Sequence, residues 1–109
     1  MTAEPLILAR LSVQRALLTH VTPALRAVSL AVSSLDCQLS LRFIYDLDAT
    51  ENKRALPAIV AAEVCGDWEF PDRVYEEVLM IPAGTAMQHL DWIVYHRCED
   101  AWVNTNTKE

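Results

Sequence analysis

The spacing of apolar residues near the N-terminus predicts a helix. These residues recur at intervals close to 3.6 over 5–20, with Pro5 in the first turn and Pro23 beyond the end. We expect one stripe of this helix to face the core, formed by Ile7, Leu8, Leu11, Leu18 and Val21. The polar residues of the segment fall outside that stripe, so the helix is predicted to be amphipathic.

Two following segments alternate between apolar and polar residues, as strands do. Residues 26–32 and 37–45 are joined by the short polar link 33–36, which is typical of a turn. One face of the second segment consists of Cys37, Leu39, Leu41, Phe43 and Tyr45. The pair therefore predicts an antiparallel hairpin with one face on the core and the other in solvent.

Helical spacing returns over 49–65. Pro57 removes a backbone donor within this segment, so we expect either a kink near 53–57 or a later start of the regular helix. Gly66 is expected to end the helix in the left-handed conformation. The predicted inward stripe is Leu56, Ile59, Val60 and Val64.

Two further strands are predicted at 73–81 and 91–97, which completes the order helix, strand, strand, helix, strand, strand. This order favours an α+β fold in which a single four-stranded sheet carries both helices on one face. The third strand then runs parallel to the second, and it could pair either with the second or, antiparallel, with the first. We expect residues 1–98 to form a single domain and 99–109 to be a frayed C-terminal tail.

The composition is that of a globular domain with an acidic surface. Of the 109 residues, 52% are hydrophobic and two are glycine, which favours a packed core over disorder. Fifteen acidic residues against nine basic ones give a net charge of −6. That charge disfavours direct binding to nucleic acid or anionic membranes and favours a basic partner. The alternative is that the charge serves only solubility.

Cysteine usage and hydropathy favour a cytoplasmic protein. Cys37, Cys65 and Cys98 are odd in number and widely spread, unlike a disulfide framework. No apolar run approaches the ~20 residues of a membrane span. The N-terminal segment lacks the basic front and cleavage site of a signal peptide.

The residue patterns that could indicate catalysis or a bound cofactor are weak. Asp48 and Glu51 have the spacing of a helix capping box, whereas a calcium loop would need further ligands and a glycine. His96 and Cys98 would share a strand face, and Cys65 or His89 could join them around a metal, but zinc-site spacing is missing. Nucleophile and phosphate-binding motifs are also missing, so we expect no enzyme activity, metal or cofactor.

Several stretches of the sequence together resemble a known class of proteins: VTPALRAVSL, LSLRFIYD, AAEVCGDWEF, EEVLMIP and DWIVYHR. They are similar to small bacterial immunity proteins, the group found beside contact-dependent growth inhibition toxins and related polymorphic toxins. The resemblance covers residues 1–98. It implies a cytosolic antidote that binds a cognate toxin domain, commonly a nuclease, and blocks its active-site or substrate surface.

A nuclease must hold nucleic acid, so the toxin surface is expected to be basic and the antidote surface acidic. The candidate partner-binding residues are Asp67, Glu69, Asp72, Glu76 and Glu77, followed by Asp46, Asp48 and Glu51. The alternative hypothesis is a homodimeric structural or regulatory domain that self-associates through an open sheet face or an edge strand. Its interface would use Ile44, Leu47 and Tyr95. A small hydrolase that depends on a cysteine or histidine is a third alternative.

Overall fold

The computed structural model describes residues 3–33, 35–47, 55–68 and 73–98. These ranges contain two helices and four strands. In chain order the elements are α1 (Ala3–Leu17), β1 (Leu25–Ser33), β2 (Gln38–Tyr45), α2 (Leu56–Asp67), β3 (Val74–Met80) and β4 (Trp92–His96). The tail predicted at 99–109 lies outside the described residues.

The four strands form one mixed sheet in the order β3-β2-β1-β4. β1 and β2 pair antiparallel from Leu25 opposite Tyr45 to Ser33 opposite Gln38, which leaves a four-residue connection. β3 lies parallel to β2, and β4 lies antiparallel to β1. The predicted α+β fold is confirmed, and the open alternative is settled because the third strand neighbours the second strand.

Both helices pack on one face of the sheet, as predicted. The strand residues on this face alternate, so that Val28 and Leu30 of β1 join Leu39, Leu41 and Phe43 of β2. The helices contribute small and β-branched side chains to the same cluster, namely Ala9, Val13 and Ala16 from α1 and Val60, Ala61 and Val64 from α2. Small residues allow the helices to approach the sheet closely.

The opposite face of the sheet is covered by the connection 81–91. β3 and β4 are at opposite edges, so the chain between them must cross the sheet, and the helices already occupy one face. Arg26, which is 2% exposed, donates to the backbone carbonyl oxygens of Ile81 and Pro82 at 3.0 Å and of Thr85 at 3.2 Å. The backbone N–H of Leu90 donates to Ser29 Oγ at 2.9 Å.

This cover corrects the prediction that the second face of the hairpin is in solvent. Ser29 is fully buried, and so are Ala27 and Ile44, which are paired across the hairpin. Ile44 therefore cannot contribute to the dimer interface proposed from the sequence. The alternating pattern correctly assigned the hairpin residues to two faces of the sheet. Alternation alone, however, does not show whether the more polar face is in solvent or is covered by another part of the chain.

The helix boundaries follow local chemistry. α1 ends at Leu17; Thr19 then takes a positive φ of 71°, and His20 Nδ1 donates to the carbonyl oxygen of Ala16 at 2.9 Å. α2 begins at Leu56 with Ala55 as N-cap, so Pro57 lies in the first turn, where its missing N–H costs little. Of the two predicted alternatives, a kink near 53–57 or a later start of the regular helix, this agrees with the later start. The capping box of Asp48 and Glu51 lies outside the described residues.

The prediction for Gly66 was wrong. The helix continues through Gly66 to Asp67, and Gly66 does not adopt a positive φ. The helix ends instead at Trp68, whose backbone is extended, with φ −87° and ψ 136°. Its N–H makes the last helical bond, to the carbonyl oxygen of Val64, and its Nε1 donates to the carbonyl oxygen of Cys37 at 3.0 Å. An aromatic side chain anchored to the hairpin turn replaces the expected glycine.

Replacing Arg26 with methionine should destabilise the protein by about 3 kcal/mol, because several buried carbonyl groups of the connection lose their donor. Urea denaturation measures this difference. Arg73→Met is the control, since within the described part of the chain exposed Arg73 donates to a single backbone carbonyl, that of Asp36. If both variants unfold at the same urea concentration, Arg26 does not hold the connection.

Candidate partner-binding surfaces

The acidic residues predicted to bind a partner do not form one continuous site. Of the eight, Asp48, Glu51, Glu69 and Asp72 lie outside the described residues. The structure separates the other four into three environments: Asp46 after β2, Asp67 between the helices, and Glu76 and Glu77 on β3.

Asp46 is held by bonds within the fold. Its Oδ1 accepts from the backbone N–H of Leu47 at 2.7 Å and of Ala83 at 3.3 Å, and its Oδ2 accepts from Arg97 at 3.1 Å. Partial burial alone would raise the pKa of Asp46, but the hydrogen bonds from Arg97, Leu47 and Ala83 outweigh burial and lower it. This carboxylate joins the end of β2 to the connection 81–91 and to the chain after β4.

Asp67 joins the two helices. It accepts a hydrogen bond from Ser12 Oγ at 2.7 Å and forms an ion pair with Arg15, both on α1. The bond from Ser12 and then the charge of Arg15 outweigh partial desolvation, and they lower the pKa of Asp67. The carboxylate remains partly exposed, but its negative charge is balanced by a neighbouring arginine.

Glu76 and Glu77 lie in the middle of β3, at the edge of the sheet. Glu76 is in register with Leu41 and therefore on the helix side, whereas Glu77 is in register with Arg42 on the opposite side. Glu77 accepts from Arg42 Nε at 3.2 Å, and Arg42 also donates to the carbonyl oxygen of Gln88. Both glutamates are exposed, as are Tyr75 and Val78 on either side of them. An adjacent pair of carboxylates thus projects from both faces of one edge strand.

The structure also contains an exposed apolar surface that the sequence analysis assigned to the core. Leu8 and Leu11 are each 59% exposed and Leu18 is 67% exposed, while the buried side of α1 consists of Ala9, Ser12, Val13, Ala16 and Leu17. The predicted inward stripe of this helix was therefore wrong. The same error occurred on α2, where Ile59 is exposed.

We call Ile7, Leu11, Gln14 and Leu18 the α1 seam. Their spacing of four, three and four residues aligns them along one line of the helix, opposite the core. Two shallow pockets lie beside it. One, of about 300 Å³, includes Leu8, Leu11 and Trp68 towards α2, and the other, of about 330 Å³, includes Leu18, Val94 and Tyr95 towards β4. Exposed apolar surface of this kind is typical of protein contacts.

The signal for this surface was present in the sequence. α1 has apolar residues on nearly every side, which is more than a single inward-facing stripe can contain. Most of the larger apolar residues lie on a different side of the helix from the small ones. Space between helix and sheet selected Ala9, Val13 and Ala16 for the core. Leu8, Leu11 and Leu18 remained outside.

The histidine and cysteine residues considered as metal ligands are only partly brought together. The rings of His89 and His96 lie 5.7 Å apart on the covered face of the sheet. Burial, followed by the positive charges of His96, Arg42 and Arg26, lowers the pKa of His89 and favours its neutral form. Across the described residues, no three side chains of His, Cys, Asp or Glu are grouped as metal ligands would be.

Comparison with known protein families identifies the chain. The family model described as MafI2 immunity protein matches residues 8–99, which is most of the chain. The chain belongs to the MafI2 immunity protein family. This confirms the predicted resemblance to small bacterial immunity proteins of polymorphic toxin systems.

Membership of the MafI2 immunity protein family supports an antidote role in which the chain binds a cognate toxin. Immunity proteins generally act by binding and not by catalysis. A search of curated proteins found no match to the chain. In the described part of the molecule, neither helix is long and apolar enough to cross a membrane.

Asp46→Asn in this MafI2 family member should lower the free energy of unfolding at pH 7 by about 1–3 kcal/mol, because the charge facing Arg97 is lost. The pKa of Asp46 is lowered in the folded state, so its contribution is present above the unfolded-state pKa and disappears as the pH falls through the folded-state pKa. Urea denaturation of both proteins from pH 7 down to about 2.5 measures this. Equal stability of the two proteins at every pH would contradict a structural role for Asp46.

Proposed function

We propose that this immunity protein neutralises a nuclease toxin in the cytoplasm by covering the basic surface on which the toxin holds nucleic acid. The family assignment carries the antidote role. The net charge of −6 supports the choice of a basic toxin surface, since the antidote would present negative charge where the nucleic acid backbone would otherwise lie. Delivery of the toxin by contact between cells, as in contact-dependent growth inhibition, is part of the same proposal.

The environments of the four described acids support β3 as the centre of this surface. Asp46 is bound on both of its oxygens, and Asp67 is paired with Arg15. Glu76 is exposed and has no arginine beside it among the described residues, and Glu77, although it pairs with Arg42, is also exposed at the adjacent position of the strand. The two glutamates therefore present charge to a partner from both sides of the sheet edge. Glu69 and Asp72, which precede β3 in the chain, are proposed to extend the same surface.

Electrostatic attraction of this kind chiefly increases the association rate. Complementary charge can bring the association rate constant of two proteins towards about 10⁸ M⁻¹s⁻¹ at low ionic strength. An antidote benefits from rapid association because a free nuclease acts on many substrate molecules before it is bound. The mechanism requires no reactive group on the antidote, in keeping with the absence of a catalytic motif from the sequence.

Reversing both charges, in the double variant Glu76→Lys and Glu77→Lys, should weaken toxin binding by about 100-fold or more. The ligand is a catalytically inactive C-terminal domain of the toxin encoded in the adjacent reading frame. Affinity and association rate are measured by surface plasmon resonance at about 50 and 300 mM salt. The association rate of the wild type should fall steeply with salt, and that of the double variant should not.

The matched control reverses two exposed acids away from β3, Glu63 on α2 and Asp91 before β4. The control has the same net charge as the test variant. If the control loses as much affinity as the test variant, only the overall charge matters and the β3 surface is not the site. If the toxin domain does not bind the wild type, or binds it equally at both salt concentrations, the proposed electrostatic occlusion is wrong.

A second candidate role is self-association, and one observation favours it. The α1 seam has the four-three-four spacing with which helices pack against each other, and most of its surface is exposed. Two copies could place their seams together about a two-fold axis, with Ile7 of one chain near Leu18 of the other. This moves the proposed dimer contact from the sheet, where Ile44 is buried, to the outer side of α1.

Self-association through the α1 seam predicts a dimer that Leu11→Lys converts to a monomer, because a charge would be buried in the contact. Light scattering after size-exclusion chromatography at about 50 µM measures the mass of each protein. Leu35→Lys is the control, since Leu35 is 95% exposed in the hairpin turn. A monomeric wild type at this concentration excludes the dimer.

A further inference from the structure

We propose that the outer edge of β3 binds an extended, basic segment of the toxin as an additional strand of the sheet. This inference rests on the proposed function, because it takes the toxin as the partner, and it goes further by assigning the backbone of β3 a direct role. The recognised feature would be a strand with basic residues at neighbouring positions.

The exposure of β3 is the first argument. β1 and β2 are buried along most of their length, whereas four consecutive residues of β3, Tyr75 to Val78, are exposed. Successive strand residues point to opposite faces, so four consecutive exposed residues mean that both faces of the strand are open. Among the described strands, only β2 pairs with β3. The middle of β3 therefore lies beyond the cover of the helices and of the connection 81–91.

The direction of the backbone groups is the second argument. The N–H of Ile81 donates to the carbonyl oxygen of Tyr45 on β2 at 2.9 Å, so Ile81 directs its backbone groups inward. Successive residues of a strand direct them to alternate sides. Met80, Val78 and Glu76 consequently direct their N–H and C=O groups away from β2, where an incoming strand could bond to them.

Charge determines which strand can bind. A second copy of β3 would bring Glu76 and Glu77 of one chain close to those of the other, and like charges across a strand pair are destabilising. A strand with Lys or Arg at neighbouring positions would instead place one basic side chain beside each glutamate, on either face. The adjacent glutamates thus prevent the edge from pairing with itself and favour a basic segment.

Proline at position 78 tests the role of the backbone. Val78 directs its N–H outward, so Val78→Pro removes a donor for the incoming strand and leaves the bonds to β2 in place. The preceding residue, Glu77, is in a strand and already has the extended conformation that proline requires of it. Val78→Ala is the matched control, because it shortens the side chain and keeps the N–H. The ligand is again the inactive toxin domain encoded in the adjacent reading frame.

We expect Val78→Pro to weaken binding by at least about tenfold and Val78→Ala by less than about threefold, with thermal unfolding confirming that both variants fold. In hydrogen exchange on the wild-type complex, the amides of Glu76 and Val78 should exchange at least about tenfold more slowly than in the free protein. Because hydrogen exchange uses the wild-type protein, it tests the inference even if the proline variant fails to fold.

The outcomes separate this inference from the proposed function. If the charge-reversed variant loses affinity while Val78→Pro binds like Val78→Ala and the two amides keep their free exchange rates, the toxin contacts the glutamates but adds no strand. The inference is then wrong and the proposed function stands. If the toxin domain does not bind, or its binding ignores Glu76 and Glu77, both are wrong.

Discussion

The strand order β3-β2-β1-β4 is the constraint on which the rest of this structure depends. It places β3 and β4, which follow each other in the chain, at opposite edges of the sheet. The connection between them must therefore cross the face of the sheet that the helices leave uncovered. An irregular segment laid on a sheet buries backbone carbonyl groups that need donors. Arg26 and Arg42 supply these donors from β1 and β2. Arg97, just after β4, donates in the same way to the carbonyl oxygen of Pro23, which precedes β1.

This use of arginine determines which charged side chains are buried. Arg26 and Arg97 are buried, and Arg97 is paired with the partly buried Asp46. Among the residues that the structure describes, the fully buried charged side chains are thus arginines, and the acidic side chains lie at or near the surface. The requirement for backbone donors thus accounts for the burial of these two arginines.

Much of the fold was predictable because period-two and period-3.6 patterns are local. The hairpin, the two edge strands and the placement of both helices on one face all follow from such patterns. The burial of α1 was not predictable in the same way. Leu11 and Val13 are both apolar, and the side on which α1 packs against the distant strands decides that Val13 is buried and Leu11 exposed. The role of Arg26 was also hidden, since its hydrogen-bond partners are more than fifty residues away.

For the candidate site, too, the residue types could be read from the sequence, but their partners from distant parts of the chain could not. The sequence pattern treated Asp46, Asp67 and Glu77 alike as candidate binding residues, although each has an arginine partner supplied by a distant element. Among the four described acids, Glu76 is the one for which the described residues provide no arginine. A carboxylate already paired within its own fold has less to gain from a new cation, because the new contact must replace an existing one. The availability of an acid for binding therefore depends on which arginines the topology brings beside it, and among the four described acids the topology leaves Glu76 without one.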